Sequence, residues 1–355
     1  MTLFDLGYNQ EWENYRIGQN LEEFAPGRVI AEHKERYSVL TESQVYEAEI
    51  LGNLRFGAKS RADFPAVGDW VAIQVFDSDF AIIHKIFPRK TVIKRKAAGT
   101  KSDEQIIAAN VDYAFIVQAA DRDFNINRLE RYLAISSDAD INPVIILTKT
   151  DLISGDKLLE LKNKIAGRIK NVPVIAISNR IKSGYEEIKA VFEKGKTYCF
   201  LGSSGVGKST LINNLSGKEL MKTNSISVST NKGRHVTTHR ELIVLGNGAI
   251  VIDNPGMREV GIAGSSGMLE DVFDEIAALS KECRYADCTH VHEDGCAVIA
   301  AVESGKISEL SYRNYLKMLK ESIYFQSGIA EKRKNEKKLA KVVREYKKQK
   351  KRNKL

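Results

Sequence analysis

No apolar run among the 355 residues reaches the roughly 18 to 20 that a membrane span requires. The first twenty residues carry Asp5, Glu11 and Glu13 among their apolar positions, which argues against a secretory signal. Cysteine is scarce. Four residues at uneven spacing, three of them close to histidines, do not make a disulfide framework and suit a reducing compartment. A cytoplasmic protein with no membrane partner is therefore expected, and a monomer is the working assumption. Charge excess is also nearly absent outside one segment. The net charge is +8, yet residues 331–355 alone hold 13 Lys/Arg against 3 Asp/Glu, a local +10 that leaves −2 for the rest. Such a basic tail suits a polyanion partner, because each phosphate it neutralises releases condensed counterions. A solvated tail kept for solubility has the same composition.

What is present falls into blocks. Gly27 to His33, Tyr37 to Thr41, Val45 to Leu51, Asp69 to Phe76 and Phe80 to Phe87 are short, β-branched and aromatic runs separated by charged or Gly/Pro-containing stretches. Five strands in so short a length predict a small all-β barrel of the OB-fold kind. Between the third and fourth lies Arg55-Phe56-Gly57-Ala58-Lys59-Ser60-Arg61, with Phe64 nearby. Arg55, Lys59 and Arg61 interleaved with aromatics suit RNA binding, where bases stack and phosphates pair. A surface loop with one core-directed Phe reads the same way. From residue 110 the pattern becomes strands alternating with helices. Tyr113 to Ala119, Pro143 to Leu147, Val172 to Ile177, Thr197 to Leu201, Leu242 to Leu245 and Ala249 to Ile252 are near-continuous apolar runs, as buried parallel strands require. Helical segments such as Asn127 to Ala139 and Lys208 to Leu215 lie between them, which predicts a doubly wound α/β domain. A Gly/Ser stretch, Gly261 to Gly267, reads as a linker to a last, helical region.

Three motifs carry chemistry. Gly202-Ser203-Ser204-Gly205-Val206-Gly207-Lys208-Ser209, followed by Thr210, fits the phosphate-binding loop G-x-x-x-x-G-K-[ST], in the right place between a strand and a helix. Its glycines let successive N–H groups wrap the phosphates, Lys208 reaches the β- and γ-phosphates, and the Ser209 hydroxyl is placed to ligate Mg²⁺. Thr148-Lys149-Thr150-Asp151 matches the guanine-reading [NT]-K-x-D pattern. A carboxylate at Asp151 accepts both N–H donors of guanine's Watson–Crick edge, a pair that adenine lacks, while the Lys149 stem packs on the base. Ser178 falls where a following loop would reach the guanine carbonyl. Asp253-Asn254-Pro255-Gly256 has the metal-linked Asp and the γ-phosphate-sensing Gly. These motifs point to GTP and GDP as ligands. Their order is rotated, with guanine recognition first, the phosphate loop second and Asp253 last. Strands need only be neighbours in space, so one sheet can be assembled from either order.

Between the phosphate loop and Asp253, Gly233-Arg234-His235-Val236-Thr237-Thr238 holds candidate switch residues. A threonine there would complete the Mg²⁺ shell, and His235 is a candidate to hold the attacking water, with RNA contact or loop packing as the other readings. Met257 stands where a water-orienting Gln is common, and a thioether cannot orient water, so unassisted hydrolysis should be slow. Further on, Cys283-x4-Cys288-x-His290-x5-Cys296 offers three thiolates and an imidazole within 14 residues. Four soft ligands with no spare position suit a closed, structural zinc site, with His292 as a substitute imidazole. Cys199, on the strand entering the phosphate loop, reads as core.

The rotated motif order, the Gly-x-His-x-Thr-Thr stretch and the Cys/His cluster together resemble the RsgA/YjeQ family of circularly permuted GTPases, from about Pro26 to Lys320. The resemblance implies an OB-fold, a permuted GTPase domain and a zinc-binding carboxyl domain. It implies an enzyme that hydrolyses GTP, is stimulated by the small ribosomal subunit and its rRNA late in assembly, and leaves after hydrolysis. It favours His290 over His292 as zinc ligand. The expected divisions are an N-terminal extension (1–24), an OB-fold RNA-binding domain (25–95), the GTPase domain (96–262), a helical zinc domain (263–330) and the basic tail (331–355). Four positions depart from the family pattern: Thr148 for Asn, Val236 for the first of three Thr, Asn179 for Ala and Asp294 for Pro. The Val236 change leaves Thr237 and Thr238 both open as metal ligand. Two other readings keep the same motifs: a scaffold that docks on RNA with nucleotide as a conformational ligand, and a GTPase acting on the large subunit.

Overall fold

The computed structural model describes residues 1–33, 36–96, 104–121, 124–217, 241–253 and 267–326. His235, Thr237, Thr238, Gly256, Met257, most of the Gly/Ser stretch and the basic tail lie outside them. The chain forms two compact units: residues 1–97 with 103–260, and residues 98–102 with 261–355. No helix among the described residues is long and apolar enough to cross a membrane.

The first unit opens with helix α1 (Gln10–Gly18), whose first turn is capped by the Asn9 side chain. Strands β1 (Ala25–His33), β2 (Arg36–Leu40) and β3 (Val45–Ile50), a short helix α2 (Gly52–Gly57), and strands β4 (Trp70–Val75) and β5 (Phe80–Ile86) follow. They pair in the order β1-β2-β3-β5-β4, and β4 returns to β1, closing a five-stranded barrel with no free edge. Val29, Tyr37, Val39, Ala48, Val71, Ile73, Ala81 and Ile83 fill it. The extension before β1, whose purpose the sequence pattern does not reveal, buries Leu6, Tyr8 and Trp12 with Trp70, Ala72 and Phe87 in a second cluster. Tyr8 meets Trp70 edge-on at 4.9 Å, and the Trp12 indole N–H donates to Pro88 O at 3.2 Å.

A hairpin of β6 (Val92–Lys96) and β7 (Glu104–Ala109) then leads into the α/β layer, so the expected division at 95–96 falls inside β6. Strands β8 (Tyr113–Ala119), β9 (Asn142–Thr148), β10 (Val174–Ala176) and β11 (Thr197–Leu201) alternate with helices α3 (Ile126–Asp138), α4 (Gly155–Ala166), α5 (Tyr185–Val191) and α6 (Lys208–Ser216). Strands β12 (Glu241–Val244) and β13 (Ile250–Asp253) complete the layer. The order is β10-β9-β8-β11-β13-β12, parallel except for β12. Burial on both faces explains the near-continuous apolar runs: all five residues of β11 are buried. From β8 the chain winds outward through β9 and β10, then returns to lay β11 on the other side of β8. That reversal makes the carboxyl ends of β8 and β11 the switch point of the sheet, the place where open α/β sheets bind their ligands.

Barrel and α/β layer share one sheet, because β12 also pairs with β1 at Glu241 and Ala31. A buried arginine, Arg28, joins them from inside. Its guanidinium donates to Leu6 O at 2.5 Å, Asn110 O at 3.3 Å and the Thr197 hydroxyl at 2.7 Å. Burial pushes its pKa down to about 10, which leaves it charged at neutral pH.

The second unit contains α7 (Gly267–Val272), α8 (Asp274–Ser280), α9 (Ala297–Glu303) and α10 (Glu309–Gln326). The Cys/His segment lies between α8 and α9.

Candidate functional site

The motifs that lie far apart in the chain meet at the carboxyl edge of the parallel strands. β8 leads to Asp121, β9 to Lys149 and Asp151, β10 to Ser178, β11 to Gly202 and β13 to Asp253. At the guanine end, Lys149 adopts a left-handed conformation, φ 59°, uncommon for a non-glycine residue and costly unless its surroundings hold it. Its ammonium pairs with the Asp121 carboxylate at 3.1 Å. The Ser178 hydroxyl donates to Asp151 Oδ1 at 2.6 Å and accepts from the backbone N–H groups of Arg180 and Ile181. This bond aims the carboxylate while the loop after β10 turns on the same hydroxyl.

At the phosphate end, the loop leaves β11 through Gly202, where any Cβ would stand 2.4 Å from Val117 O, so only glycine fits. Ser203, Ser204, Gly205 and Val206 carry it round to Gly207, left-handed at φ 97°, which opens α6. Lys208 folds back over the loop, its ammonium donating to Gly202 O at 2.7 Å and Ser203 O at 2.6 Å. Ser209 and Thr210 occupy the first turn of α6. Asp253 ends β13, which pairs with β11, and is 5% exposed. A hydroxyl and a carboxylate on this edge are the hard oxygen donors that Mg²⁺ takes.

The two ends are tied directly. Thr148 is wholly buried, and its hydroxyl stands 2.5 Å from Val206 O. The Asn179 amide donates to Gly207 O at 3.0 Å. Its carbonyl accepts from the Tyr185 hydroxyl at 2.8 Å, and Asn214 of α6 donates to that hydroxyl at 2.8 Å and to Asn179 O at 3.1 Å. Asp121, Asn179, Tyr185 and Asn214 are the positions that motif reading missed. None belongs to a spaced pattern, and Asn179 stands out in the sequence only as a departure beside Ser178.

The remaining sequence candidates are placed as follows. Arg55, Lys59 and Arg61 are exposed on α2 and the turn after it. Phe56 among them is 90% exposed, while Leu54 is the residue that packs against the barrel core. The segment thus carries a helical turn that presents its aromatic outward. Cys199 is buried, and burial pushes its thiol up to about 12, the inert core cysteine expected.

In the second unit, one ligand atom from each of Cys283, Cys288, His290 and Cys296 lies within 4.8 Å of every other. Cys283 Sγ is 3.8 Å from Cys296 Sγ and 3.6 Å from His290 Nδ1, and Cys296 Sγ is 3.5 Å from the same nitrogen. Zn–S bonds of about 2.3 Å in a tetrahedron place sulfurs about 3.8 Å apart, so the donor set fits that ion. His290, rather than His292, is the imidazole in this group. Burial pushes its pKa below the usual histidine value, the direction that favours the neutral ring a metal ligand requires. Around it, the Glu293 carboxylate accepts from the backbone N–H groups of Thr289, Val291 and His292. The Tyr312 hydroxyl of α10 donates to His290 O.

The chain is similar to known proteins over most of its length. The model of the family described as RsgA GTPase matches residues 86–263. The small ribosomal subunit biogenesis GTPase RsgA 1 of Bacteroides thetaiotaomicron is 41% identical over 325 residues, covering 91% of this chain and 90% of that protein. The small ribosomal subunit biogenesis GTPase RsgA 2 of Lactiplantibacillus plantarum is 45% identical over 298 residues, covering 84% and 83%. Among solved structures, YloQ, described as a circularly permuted GTPase, superposes with a TM-score of 0.60 at 27% identity, over 86% of this chain and 98% of that one. YjeQ from Thermotoga maritima shares the fold, with a TM-score of 0.59 at 23% identity over 84% and 98%.

Proposed function

Since the chain belongs to the RsgA family of GTPases, we propose that it hydrolyses GTP to GDP and phosphate while bound to the small ribosomal subunit, assisting a late stage of that subunit's maturation in the cytoplasm. The observation that carries this reading is the convergence of Asp151, Thr148 and the Lys208 loop at one sheet edge despite their rotated order, with Thr148 touching Val206 O at 2.5 Å. In this reading Asp151 accepts the guanine N–H pair and the Lys149 stem covers the base. The loop N–H groups and Lys208 cradle the β- and γ-phosphates.

The Lys208 ammonium donates to two loop carbonyls, and a phosphate oxygen in their place would be a charged and therefore stronger acceptor. Ser209, Asp253 and one of Thr237 and Thr238 would hold Mg²⁺, which when bound offsets the charge that develops on the transferred phosphoryl group. His235 is the proposed water-holding residue, and it gives the ribosomal particle a lever: contact of the subunit with His235 would supply the group that Met257 cannot. Zinc at Cys283, Cys288, His290 and Cys296 would be structural, since four protein ligands leave no open position. Arg55, Lys59 and Arg61 beside the outward Phe56, together with the tail, suit contacts to rRNA phosphates and bases. The protein acts as a monomer in this reading.

The test is GTP turnover with and without purified small subunits, with large subunits as control. Stimulation of at least tenfold by small subunits alone is expected. Equal stimulation by large subunits, or none by either, would remove the proposal.

A further inference from the structure

We infer that Asn179 is a positioning residue for the phosphate loop: with Thr148 it clamps two consecutive loop carbonyls, and so turns the next two N–H groups toward the phosphates. The inference rests on reading residues 202–209 as a phosphate cradle. Its premise is the planarity of the peptide. In a trans peptide the C=O of one residue and the N–H of the next point in opposite directions. Thr148 holds Val206 O at 2.5 Å and Asn179 holds Gly207 O at 3.0 Å, both from the guanine-side loops. The N–H groups of Gly207 and Lys208 are thereby turned away from those loops.

Neither clamp can replace the other. Threonine has one hydroxyl donor, and at Thr148 it stands 2.5 Å from Val206 O against 3.4 Å from its other acceptor, Gln118 O. Without Asn179, Gly207 O would keep only its helical bond from Leu211 N at 3.0 Å. Gly207 cannot fix itself, because it lacks a side chain and sits at φ 97°. Asn179 is in turn held from both sides: Tyr185 donates to its side-chain carbonyl at 2.8 Å and Asn214 to its backbone carbonyl at 3.1 Å. Tyr185 is 5% exposed and Asn214 stands on the helix that the loop opens. The amide therefore reaches the loop from a braced position. A Cβ at Gly207 would come within 2.6 Å of Asn179 Nδ2, which shows how closely loop and clamp approach.

The experiment is equilibrium binding of GDP and GTP to the full chain, for wild type, Asn179→Ala, Asn179→Asp and the double variant Asn179→Ala with Thr148→Asn, with thermal unfolding of each without nucleotide. Asn179→Ala should weaken both nucleotides about tenfold, the worth of one such bond. Asn179→Asp should weaken them at least as much, since it keeps size and the acceptor for Tyr185 but turns an anionic oxygen on Gly207 O. An asparagine at position 148 has two N–H donors, and the double variant should recover to within about threefold of wild type. Unchanged affinity in folded Asn179→Asp protein overturns the inference, and so does a loss that Thr148→Asn leaves unrepaired. Wild-type protein that binds ADP as tightly as GDP would break the guanine reading instead and leave the Asn179 comparison standing.

Discussion

The molecule's two candidate ligand sites are assembled in opposite ways. Cys283, Cys288, His290 and Cys296 come from one short stretch between two helices, and their spacing alone nearly closes the tetrahedron. The nucleotide site draws Asp121, Asp151, Ser178, Lys208 and Asp253 from the ends of five different strands. A local cluster needs little fold beneath it, but four donors that repel or compete for protons gain cohesion only from an ion they share, so a metal bound there would supply it. A site gathered from strand ends needs the whole sheet first. Once the sheet exists, loop-to-loop bonds such as Thr148 to Val206 O tie the two ends of the site together. The first site is therefore expected to be metal-dependent in structure, and the second ligand-dependent only in function.

The largest effect should come from breaking the first site. Chelation, or Cys296→Ser, should unfold the helices of the second unit, because structural zinc contributes roughly 10 kcal/mol or more in small domains. Circular dichroism and hydrogen exchange over residues 267–326 would read the loss, and GDP affinity should stay within about twofold. Full protection of α9 and α10 after complete chelation would show that this unit, like the sheet, holds its shape without a metal. Lys208→Ala should come next, lowering GTP affinity about 100-fold through loss of charge-assisted phosphate bonds worth roughly 2–3 kcal/mol. Its melting temperature should match wild type within about 2 °C. A large drop in melting temperature would mean that the phosphate loop stabilises the sheet rather than resting on it. The smallest of the three is Asp151→Asn, with GTP affinity down roughly thirtyfold and xanthine nucleotides gaining relative to guanine ones. Competition binding reads both, and selectivity equal to wild type would detach Asp151 from base recognition.

Much of this was legible in the residues. The five barrel strands and the six strands of the α/β layer appear as apolar or alternating runs within two residues of their observed ends, because burial on one or both faces dictates that pattern. The hairpin β6–β7 was not legible. Lys94, Arg95 and Lys96 carry no apolar pattern, and their strand is defined by pairing with Ile106, Gln105 and Glu104. The role of the first 24 residues was hidden for a related reason. Tyr8 and Trp12 gain their burial from Trp70 and Phe87, which lie far along the chain. Motif spacing located Lys208, Asp151 and the Cys/His ligands, since each motif is a local demand of its ligand's chemistry. It passed over Asp121, Asn179 and Asn214, which answer to neighbours in space.

The order of residues alone carries three local patterns: Gly202 to Ser209 match a phosphate-binding loop, Thr148 to Asp151 the guanine-reading pattern, and Cys283 to Cys296 a metal-ligand spacing, because each such pattern acts through side chains and turns within a few residues. The tertiary structure decided that the rotated pieces form one site. Strand pairing depends on neighbours in space and not on chain order, so β11 could settle beside β8 and β13 and bring Val206 against Thr148. It also decided that barrel and α/β layer are one sheet, through Arg28 and the β1–β12 pairing, contacts between segments too distant for any local pattern to record.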